Sequence, residues 1–145
     1  MSWKEHNANI ITSFRENEGK IFPEVNAILA QVEVVLITMK GAKSGVEHVM
    51  PLACFSLGED DFFVVATAGG APQTPSWYYN LKANPDVLIE RGVEKYSAAA
   101  TLVKDPAERA RLYAKTIEVR SEFAAYEKKA GRPIPVFIIQ RKRDE

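Results

Sequence analysis

A glycine loop followed by a helix start carries the residues of this chain that are best suited to chemistry. Residues 64–66 are predicted to end a strand, and Gly69 and Gly70 follow closely. Glycine tolerates positive φ angles and leaves backbone N–H groups open to a ligand. Trp77 and Tyr78 come next, on a predicted helix, so an anion and a flat ring could bind here side by side. An ordinary strand-to-helix connection with core aromatic side chains has the same pattern.

The helix that carries this aromatic pair has local start and stop signals. Thr74 is predicted to cap it, with Pro75 at its first position, where a missing N–H costs nothing. Asn84 and Pro85 close the helix. We therefore expect a helix over residues 75–84.

The remaining chain predicts short antiparallel strands joined by tight turns. Pro51 indicates that its strand is an edge strand or has a bulge. Consecutive strands lack the helical crossovers of a parallel sheet. The sequence thus predicts a mainly β fold with α-helices, of the α+β class: a small barrel with helical cover. The predicted strands cover residues 32–39, 47–55, 62–66, 87–90, 94–102 and 135–139, and the turns cover residues 41–45, 58–61 and 91–93.

Two further helical segments flank these strands. Residues 7–20 place Ile10, Ile11 and Phe14 on one apolar face, which could cover either the mouth or the side of the barrel. A second helix starts at Asp105-Pro106, where Asp caps and Pro takes the first position, and continues, whole or broken, towards Tyr126. We interpret residues 1–145 as one domain with an N-terminal helical segment (1–22) and a solvated tail (141–145).

Composition narrows the class of protein. The 145 residues carry 19 basic and 19 acidic side chains, and the resulting zero net charge argues against nucleic acid as a partner. No apolar run reaches the length of a membrane span, and the polar start lacks the apolar segment of a signal peptide, so a cytoplasmic protein is expected. Cys54, the single cysteine, cannot form an intrachain disulfide. With only His6 and His48 beside it, no metal site is predicted.

Several segments, in order, resemble the deazaflavin-dependent nitroreductase family. They are VVLITMKGAKSG, the proline of VMPL, VVATAGGAPQTPSWYYNLKANPDV, and GRPIPV, and the likeness runs from about Asn9 to Ile139. Members of this family are small split-barrel proteins of the FMN-binding-like type that use coenzyme F420 instead of FMN. The resemblance therefore implies a split β-barrel and an F420-dependent oxidoreductase.

The resemblance also implies a set of cofactor-binding residues. Lys43 supplies a point charge and Ser44 a hydroxyl donor for the phosphodiester tail of the cofactor, with Gly45 beside them. The residues implied near the deazaflavin ring are Thr67, Ala68, Gly69 and Gly70 in the loop, Pro51 and Leu52 beneath the ring, and Trp77 and Tyr78 in the pocket wall. A solvated turn lysine is the simpler interpretation of Lys43, and a core role is the simpler one for the two aromatic residues.

The sequence departs from the family pattern at three cationic positions, now Ala42, His48 and Ala68. His48 could act as a pH-dependent donor, or it is a half-exposed strand histidine. Because the cofactor tail is polyanionic, we predict weaker F420 binding than in relatives that keep these cations.

The predicted reaction passes a hydride from C5 of reduced F420 to a quinone, a nitroaromatic compound or an activated alkene. Tyr126 is the candidate catalytic residue, as a proton or hydrogen-bond donor to the product, unless it only packs on the barrel. Cys54 is interpreted as a core residue. Two alternatives stay open: a binding protein for a fatty-acid-like ligand, and a reductase that uses FMN. The expected partner is a small-molecule substrate, with a homodimer as an open option.

Overall fold

Seven strands and four helices make up the part of the chain that the structure describes. A computed structural model describes residues 2–58, 60–67 and 70–143, apart from the side chain of Trp3. The strands are Val34–Lys40 (β1), Glu47–Ala53 (β2), Phe55–Gly58 (β3), Asp61–Val65 (β4), Asp86–Arg91 (β5), Glu94–Leu102 (β6) and Val136–Arg141 (β7). The helices are Trp3–Glu16 (α1), Ser76–Ala83 (α2), Pro106–Val119 (α3) and Glu122–Ala130 (α4), with a 3₁₀ turn at Leu29–Gln31.

The strands form one curled antiparallel sheet in the order β2-β1-β5-β6-β7-β4-β3. All the recorded strand pairs are antiparallel. β2 lies at one edge of the sheet, yet it also contacts β4 near the other edge, so the sheet curls towards a barrel. The predicted mainly antiparallel barrel with helical cover is confirmed.

Both faces of the central strands are buried because helices cover the outside of the barrel. Ile37 of β1 and Phe62 of β4 point into the barrel interior. Leu36 of β1 points outward and packs beneath Phe14 of α1. Phe63 of β4 points outward into the cluster formed with α3 and α4. Successive side chains of a strand alternate between faces, so a continuous apolar run such as β1 needs a cover on each side.

α1 is longer at its start than predicted and ends earlier. It begins at Trp3 with Ser2 as its cap, whose hydroxyl accepts a hydrogen bond from the Glu5 N–H at 3.2 Å. Arg15 donates two hydrogen bonds to the Glu90 carboxylate on β5, at 3.0 and 2.8 Å. These contacts fix α1 against the side of the barrel.

The predicted strand over residues 47–55 is divided in two. It forms β2 and β3, separated at Cys54, whose N–H donates to the Glu33 carbonyl at 3.0 Å. Pro51 lies in β2, which is an edge strand as predicted. The chain changes neighbours at Cys54, pairing first with β1 and then with β4. Glu59 of the predicted turn 58–61 lies outside the described residues.

The N-cap residue predicted from the sequence is confirmed for α3 and is wrong for α2. Asp105 caps α3 by accepting from the Glu108 N–H at 3.3 Å, and Pro106 is its first residue, as predicted. Thr74 does not cap α2: the cap residue is Pro75, with extended backbone angles (φ −64°, ψ 151°) and no side-chain cap bond. α2 therefore starts at Ser76, one residue later than predicted.

β7 includes Arg141, the first residue of the predicted solvated tail. Lys142 then pairs with Asp86 at 2.7 Å, and Arg143 pairs with Asp60 at 3.1 Å. The chain is thus held to the sheet as far as residue 143. In the described ranges, no helix combines the length and the apolar character needed to cross a bilayer.

Candidate active site

The turn between β1 and β2 is closed by its own hydrogen bonds. The Gly41 N–H donates to the Val46 carbonyl at 2.9 Å, and the Val46 N–H donates to the Ser44 hydroxyl at 3.1 Å. A Cβ on Gly41 would lie 2.6 Å from Ser44 Oγ, so a side chain here would displace the hydroxyl that closes the turn. Gly45 has a φ of +70°, the left-handed conformation that glycine favours.

α2 holds this turn in place from outside. The Asn80 Oδ1 accepts a hydrogen bond from the Ala42 N–H at 3.0 Å. The Asn84 amide donates to the Lys40 and Gly41 carbonyls, each at 3.4 Å. Two asparagines one helical turn apart therefore connect the turn to the helix that follows the glycine loop.

A cavity of about 820 Å³ lies between the turn and α2, and we call it the turn cavity. Lys43 and Lys82 reach it from its two sides, and within the described residues neither lysine makes an ion pair. The cavity therefore offers two unpaired cations to an anionic group. It is lined by Gly41, Ala42, Lys43, Ser44, His48, Ser76, Tyr79, Asn80, Lys82 and Ala83.

A second cavity, of about 360 Å³, lies at the barrel mouth, and we call it the Pro51 cavity. Pro51 is buried, while Thr67, Tyr126 and His6 are half-buried and supply polar atoms to a largely apolar wall. The wall is completed by Asn7, Ile10, Asn26, Ile28, Leu29, Val32, Leu52, Ala53, Val65, Trp77 and Phe123.

A middle cavity of about 510 Å³ lies between the other two and borders each of them. It shares His48, Ser76 and Asn80 with the turn cavity, and Asn7 with the Pro51 cavity. A long ligand could thus extend from the turn lysine to the barrel mouth, with its charged part at the turn and its apolar part over Pro51.

Arg132 holds the loop that precedes α2. Its guanidinium donates to the carbonyls of Ala66, Thr67, Ala71 and Gln73 at 3.1 to 3.3 Å. One guanidinium nitrogen, Nη1, is buried and has no hydrogen-bond partner among the residues that the structure describes. Because these four carbonyls accept from one planar guanidinium, Arg132 connects residues 66–67 to residues 71–73.

Tyr126 is positioned by contacts between α3 and α4. The buried Tyr113 hydroxyl donates to the Phe123 carbonyl at 2.6 Å, and burial raises the pKa of Tyr113 to about 12, so this phenol stays protonated as a donor. Arg109 on α3 pairs with Glu127 on α4 at 2.9 Å. The Tyr126 ring packs edge-on against Phe123, with 5.1 Å between ring centroids.

The structure brings most of the predicted site residues to these cavities. Lys43, Ser44 and His48 line the turn cavity, and His48 is exposed on β2. Pro51, Leu52, Thr67, Trp77 and Tyr126 line the Pro51 cavity. Ala68 and Gly69 lie outside the described residues. Gly70 is buried against α4, and Gly45 is exposed in the turn beside Ser44.

Tyr78 differs from its predicted position in the pocket wall. Its ring packs against Phe137 of the barrel core, with 5.6 Å between centroids. The following residue, Tyr79, lines the turn cavity instead. Trp77 and Leu81 are the buried positions of α2, and this determines which aromatic side chain remains outside.

Sequence reasoning missed Lys82, Ser76 and His6. Lys82 lies one helical turn beyond Tyr78, and its ammonium is 5.9 Å from the centre of that ring. The pattern of α2 gives no signal that an exposed lysine faces the turn of another hairpin. His6 belongs to α1, and the apolar pattern of that helix predicts only packing against the barrel.

Cys54 takes no part in this site. It is buried, and burial is the main cause that raises the pKa of its thiol far above the ordinary value, with the Glu33 carboxylate adding to the effect. A thiol in this state is a poor nucleophile, as expected for a core residue.

Comparison with known proteins gives one consistent result. Residues 8–141 match the family model described as F420H(2)-dependent quinone reductase. An F420H(2)-dependent quinone reductase of Mycobacterium tuberculosis is 35% identical over 111 residues, which cover 74% of this chain and 73% of that protein.

Two solved structures agree with this match. One, described as an F420-H2 dependent reductase, has 36% identity and a TM-score of 0.66, and the match covers 74% of this chain and 93% of that chain. Another, described as a domain-swapped dimer, also has 36% identity and a TM-score of 0.66, with 74% of this chain and 79% of that chain covered.

Proposed function

This chain belongs to the F420H(2)-dependent quinone reductase family, and on that basis we propose that it binds F420 along the three cavities and reduces a quinone at the Pro51 cavity. The observation that carries the proposal is that the middle cavity borders both of the others: it shares three lining residues with the turn cavity, where Lys43 lies, and Asn7 with the cavity that Pro51 lines. Nitroaromatic compounds and activated alkenes are proposed as further acceptors, because they too are electron-poor.

The turn cavity fits the anionic tail of the cofactor. Lys43 and Lys82 are cations without an ion pair among the described residues, and Ser44 adds a hydroxyl donor. Lys82 partly replaces the cations that Ala42 and Ala68 do not provide. Charge-assisted hydrogen bonds to phosphate are stronger than neutral ones, so these groups would supply most of the tail's binding energy.

The Pro51 cavity fits the flat tricyclic ring. Pro51, Leu52 and Trp77 form an apolar surface, and Thr67 is the half-buried loop residue beside it. When bound, reduced F420 supplies the hydride from its C5 atom. An apolar wall excludes water, which protects the hydride donor and strengthens every hydrogen bond made inside.

Tyr126 is proposed to bind the acceptor. Its phenol lines the same cavity and is held there by the packing of α4 on α3. A phenol donor stabilises an acceptor oxygen as negative charge grows on it during hydride transfer. We also propose a homodimer and a cytoplasmic location. The homodimer is supported by the similar solved structure that is described as a domain-swapped dimer.

Fluorescence titration with F420, followed by F420H2 oxidation with menadione as the quinone, tests this function. We expect wild-type binding and turnover, and Lys43→Ala should weaken F420 binding roughly ten- to a hundredfold. Lys40→Ala is the matched control, because Lys40 is an exposed lysine of the same hairpin that does not line the turn cavity, so its loss should leave the Kd unchanged.

The alternatives predict different results. A lipid-binding protein would show no F420 binding and would co-purify with an apolar ligand. An FMN enzyme would bind FMN and fail to oxidise F420H2. Either result would refute the proposed function.

A further inference from the structure

His6 of α1 and Tyr126 of α4 line the same cavity although they lie 120 positions apart in the sequence. Polar groups are few in that wall. Asn7 directs its side-chain N–H to the Met50 sulfur at 3.8 Å, and the Asn26 amide contacts two backbone N–H groups and the His6 ring. His6, Thr67 and Tyr126 are therefore the remaining polar side chains of this wall.

Asn26 determines which nitrogen of His6 carries the proton. Its Oδ1 accepts hydrogen bonds from the Ile28 N–H at 3.1 Å and the Leu29 N–H at 2.9 Å. These two backbone groups can only donate, so the amide orientation is fixed and Nδ2 faces His6 Nε2 at 3.1 Å. Nδ2 can only donate as well, so Nε2 accepts. His6 is thus a neutral imidazole with its proton on Nδ1.

We propose that His6 is a catalytic residue whose Nδ1–H donates a hydrogen bond to a carbonyl oxygen of the bound quinone. The inference rests on the proposed function, since it needs a quinone in the Pro51 cavity. Nδ1 is the remaining polar atom of the ring, and within the described residues it has no hydrogen-bond partner. The neutral form is suited to this role, because a fixed N–H donor needs no reorganisation when charge develops.

The step balances without a proton from His6. The hydride bonds to one carbonyl oxygen of the quinone, its two electrons make the ring aromatic, and the opposite carbonyl oxygen becomes a phenolate. His6 stabilises this negative charge through its N–H and keeps the proton. Water supplies the proton that completes the hydroquinone. Tyr126 serves the same acceptor from α4, so the two donors come from separate helices.

The tautomer can be measured without any cofactor. The chain has two histidines, His6 and His48, so ¹⁵N-histidine labelling gives two rings, and a His48→Gln sample assigns them. Long-range ¹H–¹⁵N correlation at neutral pH should show His6 protonated on Nδ1 alone. Asn26→Ala should abolish this preference. A wild-type His6 ring protonated on Nε2, or on both nitrogens, would overturn the inference.

Two isosteric variants test the role in turnover. The amide nitrogen of Asn occupies the place of Nδ1, and that of Gln the place of Nε2. His6→Gln should therefore slow hydride transfer to menadione about tenfold or more, whereas His6→Asn should retain most of the rate. F420 affinity, measured by fluorescence, should stay within about twofold in both variants, since His6 acts on the acceptor. Thermal melting confirms that each variant is folded.

The outcomes separate the two proposals. If wild type reduces menadione and both variants keep its rate, His6 has no catalytic role and the proposed function stands. If His6→Asn is as slow as His6→Gln, the donor is not Nδ1. If wild type neither binds F420 nor reduces menadione, the proposed function fails, and the role of His6 fails with it.

Discussion

Gly70 lies so close to the backbone of Tyr126 that no side-chain atom fits freely between them. A Cβ added to Gly70 would lie 3.3 Å from both the Cα and the carbonyl oxygen of Tyr126, and 3.1 Å from Cδ of Lys129. The glycine loop and α4 thus touch at the residue proposed to bind the acceptor. Any side chain at position 70 must push α4, and Tyr126 with it, away from the loop.

This contact predicts a specific defect for Gly70→Ala. Gly70 has a φ of +86°, so alanine would add backbone strain of about 1–2 kcal/mol, and its methyl group would add overpacking against α4 of about 1–3 kcal/mol. Gly92→Ala is the matched control: its φ is +62°, but its Cβ would meet nothing within 4 Å. Urea denaturation should show a larger decrease in the free energy of unfolding for Gly70→Ala than for Gly92→Ala. Gly70→Ala should also reduce menadione more slowly. If both variants lose the same free energy of unfolding, α4 can move away from the added methyl group at no cost.

Tyr126→Phe should slow turnover while leaving stability and F420 binding nearly unchanged. The hydroxyl acts mainly in the transition state, so its loss should lower the hydride-transfer rate about tenfold or more. Stopped-flow oxidation of bound F420H2 measures this rate. An unaltered rate would make Tyr126 a packing residue.

Tyr113→Phe should affect stability, in contrast to Tyr126→Phe, which should affect turnover. Its hydroxyl supplies the Phe123 carbonyl with a buried donor at 2.6 Å. Its removal should lower the free energy of unfolding by about 1–3 kcal/mol. The two tyrosines should thus separate a role in stability from a role in the reaction.

Adding a cation to the turn should tighten F420 binding. Ala42 lines the turn cavity, so Ala42→Arg, alone or with Ala68→Lys, places positive charge where the sequence departs from its family. The gain should be larger at low salt, because salt screens exposed charges. Val46→Arg is the control, because it adds the same charge at an exposed residue of the same hairpin that does not line the turn cavity. It should increase F420 affinity less than Ala42→Arg does. Equal Kd values for wild type and Ala42→Arg would show that missing cations do not limit affinity.

Glu90 predicts a pH dependence of stability. The hydrogen bonds from Arg15 hold the pKa of Glu90 below its ordinary value of 4.5 in the folded protein. The stabilisation is therefore fully present above the unfolded pKa, and it is lost as the pH falls through the folded value. Glu90→Gln should lower the free energy of unfolding by about 1–3 kcal/mol at neutral pH and by much less in acid.

Urea denaturation between pH 7 and pH 3 measures this difference. Glu94→Gln is a suitable control, because the Glu94 carboxylate is 58% exposed and lies 3.3 Å from Arg141, a geometry in which ion pairs contribute little. A stability gap between wild type and Glu90→Gln that stays constant over this range would show that Arg15 does not act through the charge of Glu90.

The sequence predicted best those elements whose signals are local. Asp105 and Pro106 start α3 as expected, and the hairpin of β5 and β6 turns at Gly92, inside the predicted turn 91–93. Caps and tight turns are decided by neighbouring residues, so their patterns can be recognised without the fold. Thr74 shows the limit: Pro75 took extended angles and became the cap itself.

The family resemblance predicts site residues that the local patterns do not indicate. It placed Lys43, Pro51 and Thr67 at one site, and the structure brings them to cavities that share lining residues. It did not distinguish Tyr78 from Tyr79, because the inward face of an eight-residue helix depends on what it packs against. Here Trp77 and Leu81 face the core.

The sequence by itself thus determined the class of fold, the order of strands and turns, and the loop that carries the glycines. Only the tertiary structure decided that Lys82 faces Lys43 across a cavity, that Arg132 holds the loop, and that His6 lies near Tyr126. The physical reason is the distance along the chain over which each kind of interaction acts. Backbone propensities and caps act over a few residues, whereas a binding site needs side chains from distant segments, which meet only after the sheet has curled and its helices have covered both faces.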